Sequence, residues 1–286
     1  MPAPKNSTVP TCAPQAAGEP TPGWQASLDL TFEQRSGVTV LAECRHHGPL
    51  IVQRPFYPED EVCHVYVVHP PGGVVAGDQL ALSARVRPRA HALITTPAAG
   101  KFYRSTGSTA FLRQDLTVES GTLEWLPQEN IFFPGASVQM ATCVQLLAGA
   151  RFFGWEISCF GLSAGNQPFE SGEVSQHLDL RVDAKWLLCE RQVLDREAIF
   201  ATWGLAGNAA VGTLVVYPAG EHELAQARGA PGAQVTVGAS LVDGVLVCRA
   251  IAQRADRLRE AFVAVWRAVR PLMPGRKATL PRVWAT

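Results

Sequence analysis

The chain has 286 residues, 47% of them hydrophobic and 17% charged, with 25 basic residues against 25 acidic ones. That length allows one large domain or two small ones, and the zero net charge leaves no overall field to steer the protein to nucleic acid or a membrane surface. No run of 18 apolar residues and no apolar leader occurs, and the 7 cysteines show neither a C-x-x-C pair nor regular spacing. These features read as a chain that does not span a membrane, keeps its thiols reduced and works in the cytoplasm.

Residues 1–22 carry Pro2, Pro4, Pro10, Pro14, Pro20 and Pro22 among small polar residues, so the composition predicts a disordered tail. From Trp24 onward the pattern is that of strands. Leu28, Leu30 and Phe32 alternate with polar residues, Arg35-Ser36-Gly37 turns the chain, and Thr39–Arg45 returns. Val65–Val68 is a β-type run broken by Pro70-Pro71-Gly72-Gly73 and then by Gly77-Asp78, clusters that mark sharply shaped turns. The two-residue period resumes at Leu80–Val86, Ala90–Thr95, Thr109–Val118, Val138–Leu146, Phe152–Phe160, Val174–Val182 and Trp186–Val193. Gln234–Val237 and Val245–Ala250 read as strands around the Val242-Asp243-Gly244 turn.

Helical period comes late. Glu221–Arg228 is a short candidate. Over Ala255–Val269 the residues Leu258, Phe262, Val265, Trp266 and Val269 share one face, acids lie at the start and arginines at the end, and Pro271 stops the helix. From Arg249 onward the chain has nine basic and two acidic residues, leaving 16 basic and 23 acidic before it. An acidic body with a basic end suits a partner-binding scaffold, or is a bland surface asymmetry. With no repeat and no linker visible, residues 23–286 read as one mainly β domain with two helices in its C-terminal third.

Several motifs carry possible chemistry. Gly161-Leu162-Ser163-Ala164-Gly165 matches the nucleophile elbow of a serine hydrolase, yet the elbow needs a helix after the serine and Asn166-Gln167-Pro168-Phe169 reads as a loop. Ala98-Ala99-Gly100-Lys101-Phe102 fails as a phosphate loop, because Thr95 stands at the first glycine and Phe102 at the hydroxyl position. Cys63, His64, His69 and Asp78 are residue types that suit nickel. Cys63 and His64 are strand neighbours that face opposite ways, so the set reads as structural histidines or as a transient metal contact, not a closed storage site. Glu124 and Glu129 flank Trp125-Leu126-Pro127 as a carboxylate pair without a nucleophile. Arg54, Phe56, Tyr57, Phe102, Tyr103, Arg104 and Trp125 have the aromatic-plus-arginine composition of interface anchors.

Several of these segments together resemble the UreD (UreH) family of urease accessory proteins. The resemblance runs through Gly48-Pro49-Leu50, Gln53–Glu59, Cys63–Asp78, Leu93–Arg104, Leu123–Ile131 and the terminal Pro281-Arg282-Val283-Trp284-Ala285-Thr286. Ala76 stands where the family pattern has glycine, and Gly100 near where it has a hydroxyl residue. The resemblance implies a β-helical stack of strands with two helices and a non-enzymatic scaffold without a tightly bound cofactor. It implies binding to urease apoprotein, to UreF and through UreF to UreG, with nickel passed transiently to the urease active site. On that reading the partner-binding candidates are Arg54, Tyr57, Tyr103, Arg104, Trp125, Arg282 and Trp284, and the transient nickel candidates are His64, His69, Asp78, Glu124 and Glu129. The alternatives are a nickel-storing or nickel-sensing protein and a hydrolase using Ser163.

Overall fold

The computed structural model describes residues 23–162, 167–230, 235, 237–273 and 276–285. The tail expected over residues 1–22 and the elbow serine Ser163 lie outside the described residues.

A twisted hairpin opens the chain, β1 (Gln25–Arg35) and β2 (Val38–His47), followed by β3 (Ile51–Val52) and β4 (Cys63–Val68). Three rungs then wind one upon another. The first is β5 (Gln79–Val86), β6 (His91–Thr95) and β7 (Gly100–Phe102); the second is β8 (Ala110–Val118), β9 (Thr122–Trp125) and β10 (Asn130–Phe132). The third is β11 (Ser137–Leu146) and β12 (Arg151–Leu162), whose last residues serve as its third side, with β13 (Gln167–Pro168) folding back on them. A fourth turn begins with β14 (Glu173–Val182) and leaves the stack through β15 (Lys185–Asp195). The helix α1 (Arg196–Phe200), β16 (Ala210–Tyr217), α2 (Glu221–Gly229), β17 (Val237–Val242), β18 (Val245–Ala252) and α3 (Ala255–Val269) complete the chain.

Successive rungs pair in parallel register, which stacks like positions into ladders. Val86, Val118, Leu146 and Val182 form one such ladder through the interior. The result is a seven-stranded sheet in the order β15-β14-β11-β8-β5-β1-β2 facing a second sheet whose main path is β17-β18-β16-β12-β9-β6-β4-β3. Alternating residues of both sheets fill the main core, including Phe32, Leu82, Leu116, Phe132 and Phe160. The other face of the second sheet is covered by α3, whose Leu258, Phe262, Val265, Trp266 and Val269 bury against Phe153, Trp155 and Leu214.

The mainly β class with β-helix-like rungs and the expected span of α3 agree with the sequence reading. A third helix, α1, was not anticipated; it is a single turn capped by Asp195, whose carboxylate accepts from the Ala198 amide at 2.8 Å. The basic C-terminal end is largely neutralised within the chain. Arg249 pairs with Glu190, Arg259 with Glu129, Arg270 with Glu59 and Glu124, and Arg276 with Glu61. Among the described residues no helix is long and apolar enough to cross a membrane.

Candidate functional site

Strand parity decides what lies beneath α3. Cys63 faces the main core, so its neighbour His64 faces the helix, together with Glu124 of β9. Glu59, in the loop before β4, and Arg270, just past the C-terminus of α3, complete a buried ionic cluster. Arg270 donates to Glu124 at 2.8–3.0 Å and to Glu59 at 2.7 and 3.0 Å, and it also reaches the Lys277 carbonyl. Glu124 further accepts from the Trp266 indole at 2.6 Å and meets His91 at 2.6 Å, while His64 meets Glu59 at 2.8 Å. Burial alone drives the Glu124 carboxyl upward, but its bonds to His91 and Arg270 outweigh that and hold it down to about 2. Glu59 is likewise lowered, its burial being offset by His64 and Arg270. The cluster is saturated with internal partners, except for Nδ1 of His64, which is buried without a hydrogen bond.

A second polar site lies between the sheets. The parallel ladder Leu82–Gln114–Thr142–Leu178 turns polar at its two central steps. There the Thr142 hydroxyl lies 2.7 Å from the Gln114 side-chain oxygen and also meets the Glu156 carboxyl of β12. Gln176 donates to Ser158 at 2.7 Å, and Glu190 accepts from Thr213 at 2.9 Å, Gln192 at 2.6 Å and Arg249 at 2.6 Å. A slot of about 20 Å³, room for about one water, runs among Glu156, Ser158, Gln176, Glu190 and Thr213. Withdrawal from water pushes the Glu156 carboxyl up to about 7; the Glu190 charge adds to this and the Thr142 hydroxyl opposes it. Chemically the slot offers two carboxylates beside hydroxyl and amide groups, with the Arg249 guanidinium bound to one of them.

The candidates from the sequence are spread across the molecule. Asp78 is buried and serves as a turn staple, accepting from the Trp24 amide at 2.8 Å and the Val75 amide at 2.9 Å. His69 is half-buried near Asp78; loss of water lowers its pKa and the Asp78 charge works the other way. Glu129 pairs with Arg259 at 3.4 Å. Among the described residues no group of three or more His, Cys, Asp or Glu side chains converges to hold a metal ion.

Of the interface candidates, Arg54, Tyr57, Tyr103, Arg104 and Arg282 are exposed. Trp125 is 3% exposed and packs inside the main core, so in this fold it offers no surface to a partner. Trp284 is partly buried; its indole donates to Thr95 at 2.9 Å and its ring lies 5.8 Å from Trp155 and 6.0 Å from Trp266. The two departures from the family pattern are accommodated. Ala76 is not in the left-handed backbone region, and a side chain at Gly100 would have its Cβ only 2.4 Å from the Asn130 amide oxygen.

The sequence reading missed Glu59, His91, Glu156, Glu190 and Arg270, whose partners are distant in the chain. It also missed the exposed apolar residues Val193, Trp203 and Ile251, which line one groove and of which Trp203 is 72% exposed. A tryptophan in a glycine-punctuated loop was the available signal for the groove.

A family model described as the UreD urease accessory protein matches residues 25–285, the whole folded body. The chain belongs to the UreD family. Curated relatives are similar over nearly their full length. The urease accessory protein UreD of Klebsiella aerogenes is 44% identical over 266 residues, covering 92% of this chain and 97% of its own. That of Alcanivorax borkumensis is 44% identical over 273 residues, covering 92% and 93%, and that of Escherichia coli is 41% identical over 276 residues, covering 92% and 98%. The UreD match therefore takes in the rungs, the ionic cluster under α3 and the segment that ends in Trp284.

Proposed function

We propose that this protein is a non-catalytic accessory scaffold of urease maturation, which binds urease apoprotein together with UreF and, through UreF, UreG, and helps nickel reach the urease active site. The observation that carries the reading is the family match across residues 25–285. Exposed side chains are offered to partners at Arg54, Tyr57, Tyr103 and Arg104, and at Val193, Trp203 and Ile251, which line one groove beside α1. Aromatic and arginine side chains are the residue types that anchor interfaces.

Nickel is the cargo in this reading, not a resident ion. Of the carboxylates expected to meet it, Glu124 has its oxygens committed to Arg270, His91 and Trp266. The slot suits passage better through Glu156: Glu190 is held by Arg249, but Glu156 has no cationic partner among the described residues, and a carboxylate amid hydroxyl and amide groups attracts a divalent cation without enclosing it. Arrival of the cation would expel the proton from Glu156. The deciding experiment is co-purification of the chain with urease subunits and accessory proteins, combined with urease activation in cells carrying Glu156→Gln. Retained complex with reduced activation supports both parts of the reading. Failure to co-purify rejects the scaffold role. Full activation by Glu156→Gln rejects the slot while leaving the scaffold standing. A storage role would instead show tight stoichiometric nickel binding by the isolated chain.

A further inference from the structure

A cleft of about 290 Å³ opens where the corners of the rungs stack, at the end of the second sheet nearest the C-terminal segment. Its construction follows from register. His91, Thr122 and Arg151 are partners at the first position of three adjacent parallel strands, β6, β9 and β12, so they share one face of the sheet. The corners before those strands are laced by backbone bonds, Arg89 N–H to the Ser120 carbonyl at 3.0 Å and Arg151 N–H to the Gly121 carbonyl at 2.8 Å. Ser120 sits against Gly149, where an added Cβ would approach its hydroxyl to 2.7 Å, so the corners can stack this closely only with glycine there. Arg276, from the segment after α3, closes the remaining side.

The charge is one-sided. Arg89, Arg151 and Arg276 line the cleft, and its single acid, Glu61, is held by Arg276. Arginines elsewhere on the rungs are matched with acids, as Arg85 and Arg87 are with Glu119 and Arg113 is with Asp115. Neither Arg89 nor Arg151 has a carboxylate partner among the described residues. The hydroxyls of Ser120 and Thr122 add neutral donors. Two unpaired guanidinium groups beside hydroxyls, in a cleft larger than a phosphate ion, make the donor set that polyoxygen anions fill best.

We propose that this cleft is a binding site for a small oxyanion carrying two or more negative charges, of the phosphate or polycarboxylate class. An occupant would bridge Arg89 and Arg151 at the rung corners to Arg276, joining the body to the C-terminal segment. The site shares no lining residue with the nickel slot.

Inorganic phosphate and citrate should be titrated separately into the full chain by calorimetry and thermal shift, with sodium chloride at matched ionic strength as the control. Saturable binding of at least one probe is expected, weakened about tenfold or more by Arg89→Gln/Arg151→Gln, since each charge-assisted hydrogen bond is among the stronger ones. Both arginines are exposed, so the fold should survive. Ser120→Asp, which sets a carboxylate between the guanidinium groups at an exposed corner, tests the same site by a different change and should abolish binding. No saturable binding of either probe above the chloride control overturns the proposal. So does either variant binding as tightly as the parent chain.

Discussion

Arg270 and Glu124 meet under α3 through three hydrogen bonds of 2.8–3.0 Å, with both side chains at most 2% exposed, across 146 residues of sequence. Removing Arg270 leaves two carboxylates dry, and removing Glu124 leaves Arg270 with Glu59 alone and the Trp266 indole without its acceptor. Glu124→Ala should therefore destabilise the protein by about 3–5 kcal/mol, whereas Glu59→Gln/Glu124→Leu/Arg270→Met, which removes all three charges together, should lose much less. Chemical denaturation of the two variants checks this; equal losses would mean that the pair itself, not the orphaned charge, sets the cost.

Acid sensitivity follows from the same contact. The folded Glu124 carboxyl is held down to about 2, below its ordinary 4.5. Its contribution to stability is complete above pH 4.5 and is lost as the pH falls toward 2. Glu59 is lowered as well and acts in the same direction. Stability should fall steeply in this range, and more shallowly in Glu124→Gln.

Glu156 has the opposite sign. Its folded pKa is raised from 4.5 to about 7, so the native state holds the extra proton between those values and stability declines as the pH rises through that window. Glu156→Gln should match the parent chain below pH 4.5 and exceed it in melting temperature at pH 8. The same variant is expected to activate urease poorly, which separates transfer of the metal from loss of fold.

Trp284→Ala should lower stability by about 2–3 kcal/mol, the value of burying a large apolar side chain, because its ring packs on Trp155 and Trp266 and its indole bonds Thr95. Affinity for UreF is to be measured alongside melting temperature. Reduced affinity at a temperature where the variant is folded assigns the segment to the partner interface; unchanged affinity assigns it to the body alone.

Trp203→Asp should leave the melting temperature nearly unchanged, as exposed surface substitutions usually do, and should reduce self-association of the isolated chain by light scattering. Ser163→Ala should leave urease activation unchanged. The described residues resume at Gln167 as a strand that pairs back on β12, Gly161 opposite Pro168, where a nucleophile elbow would need a helix.

The strands with one wet face were legible because their period of two is visible: β1, β5 and β11 alternate in burial much as they alternate in polarity. β9 and β16 were not read as strands. Leu123-Glu124-Trp125 and Ala210–Tyr217 are covered on both faces, by the main core on one side and the α3 layer on the other, so alternation is erased. The helix α3 was legible from its apolar stripe, yet Arg270 read as a dipole partner because nothing local shows that it will meet Glu59 and Glu124. The face assignment of Cys63 and His64 needed only parity and holds in the structure. Glu156 and Glu190 could not be paired from sequence, since their proximity depends on how two sheets are superposed.

Vectorial synthesis gives the ionic cluster a timetable. Glu124 leaves the ribosome 146 residues before Arg270, an interval of roughly 7–30 s at usual elongation rates. For that time the outer face of the second sheet has no α3 to cover it, and Glu59 and Glu124 have only water and histidine for company. The nascent rungs are thus an unsealed intermediate with a long lifetime, and the last twenty or so residues act as the closing stroke. A chain released before Arg270 should be a substrate for chaperones and proteases, not a shortened scaffold.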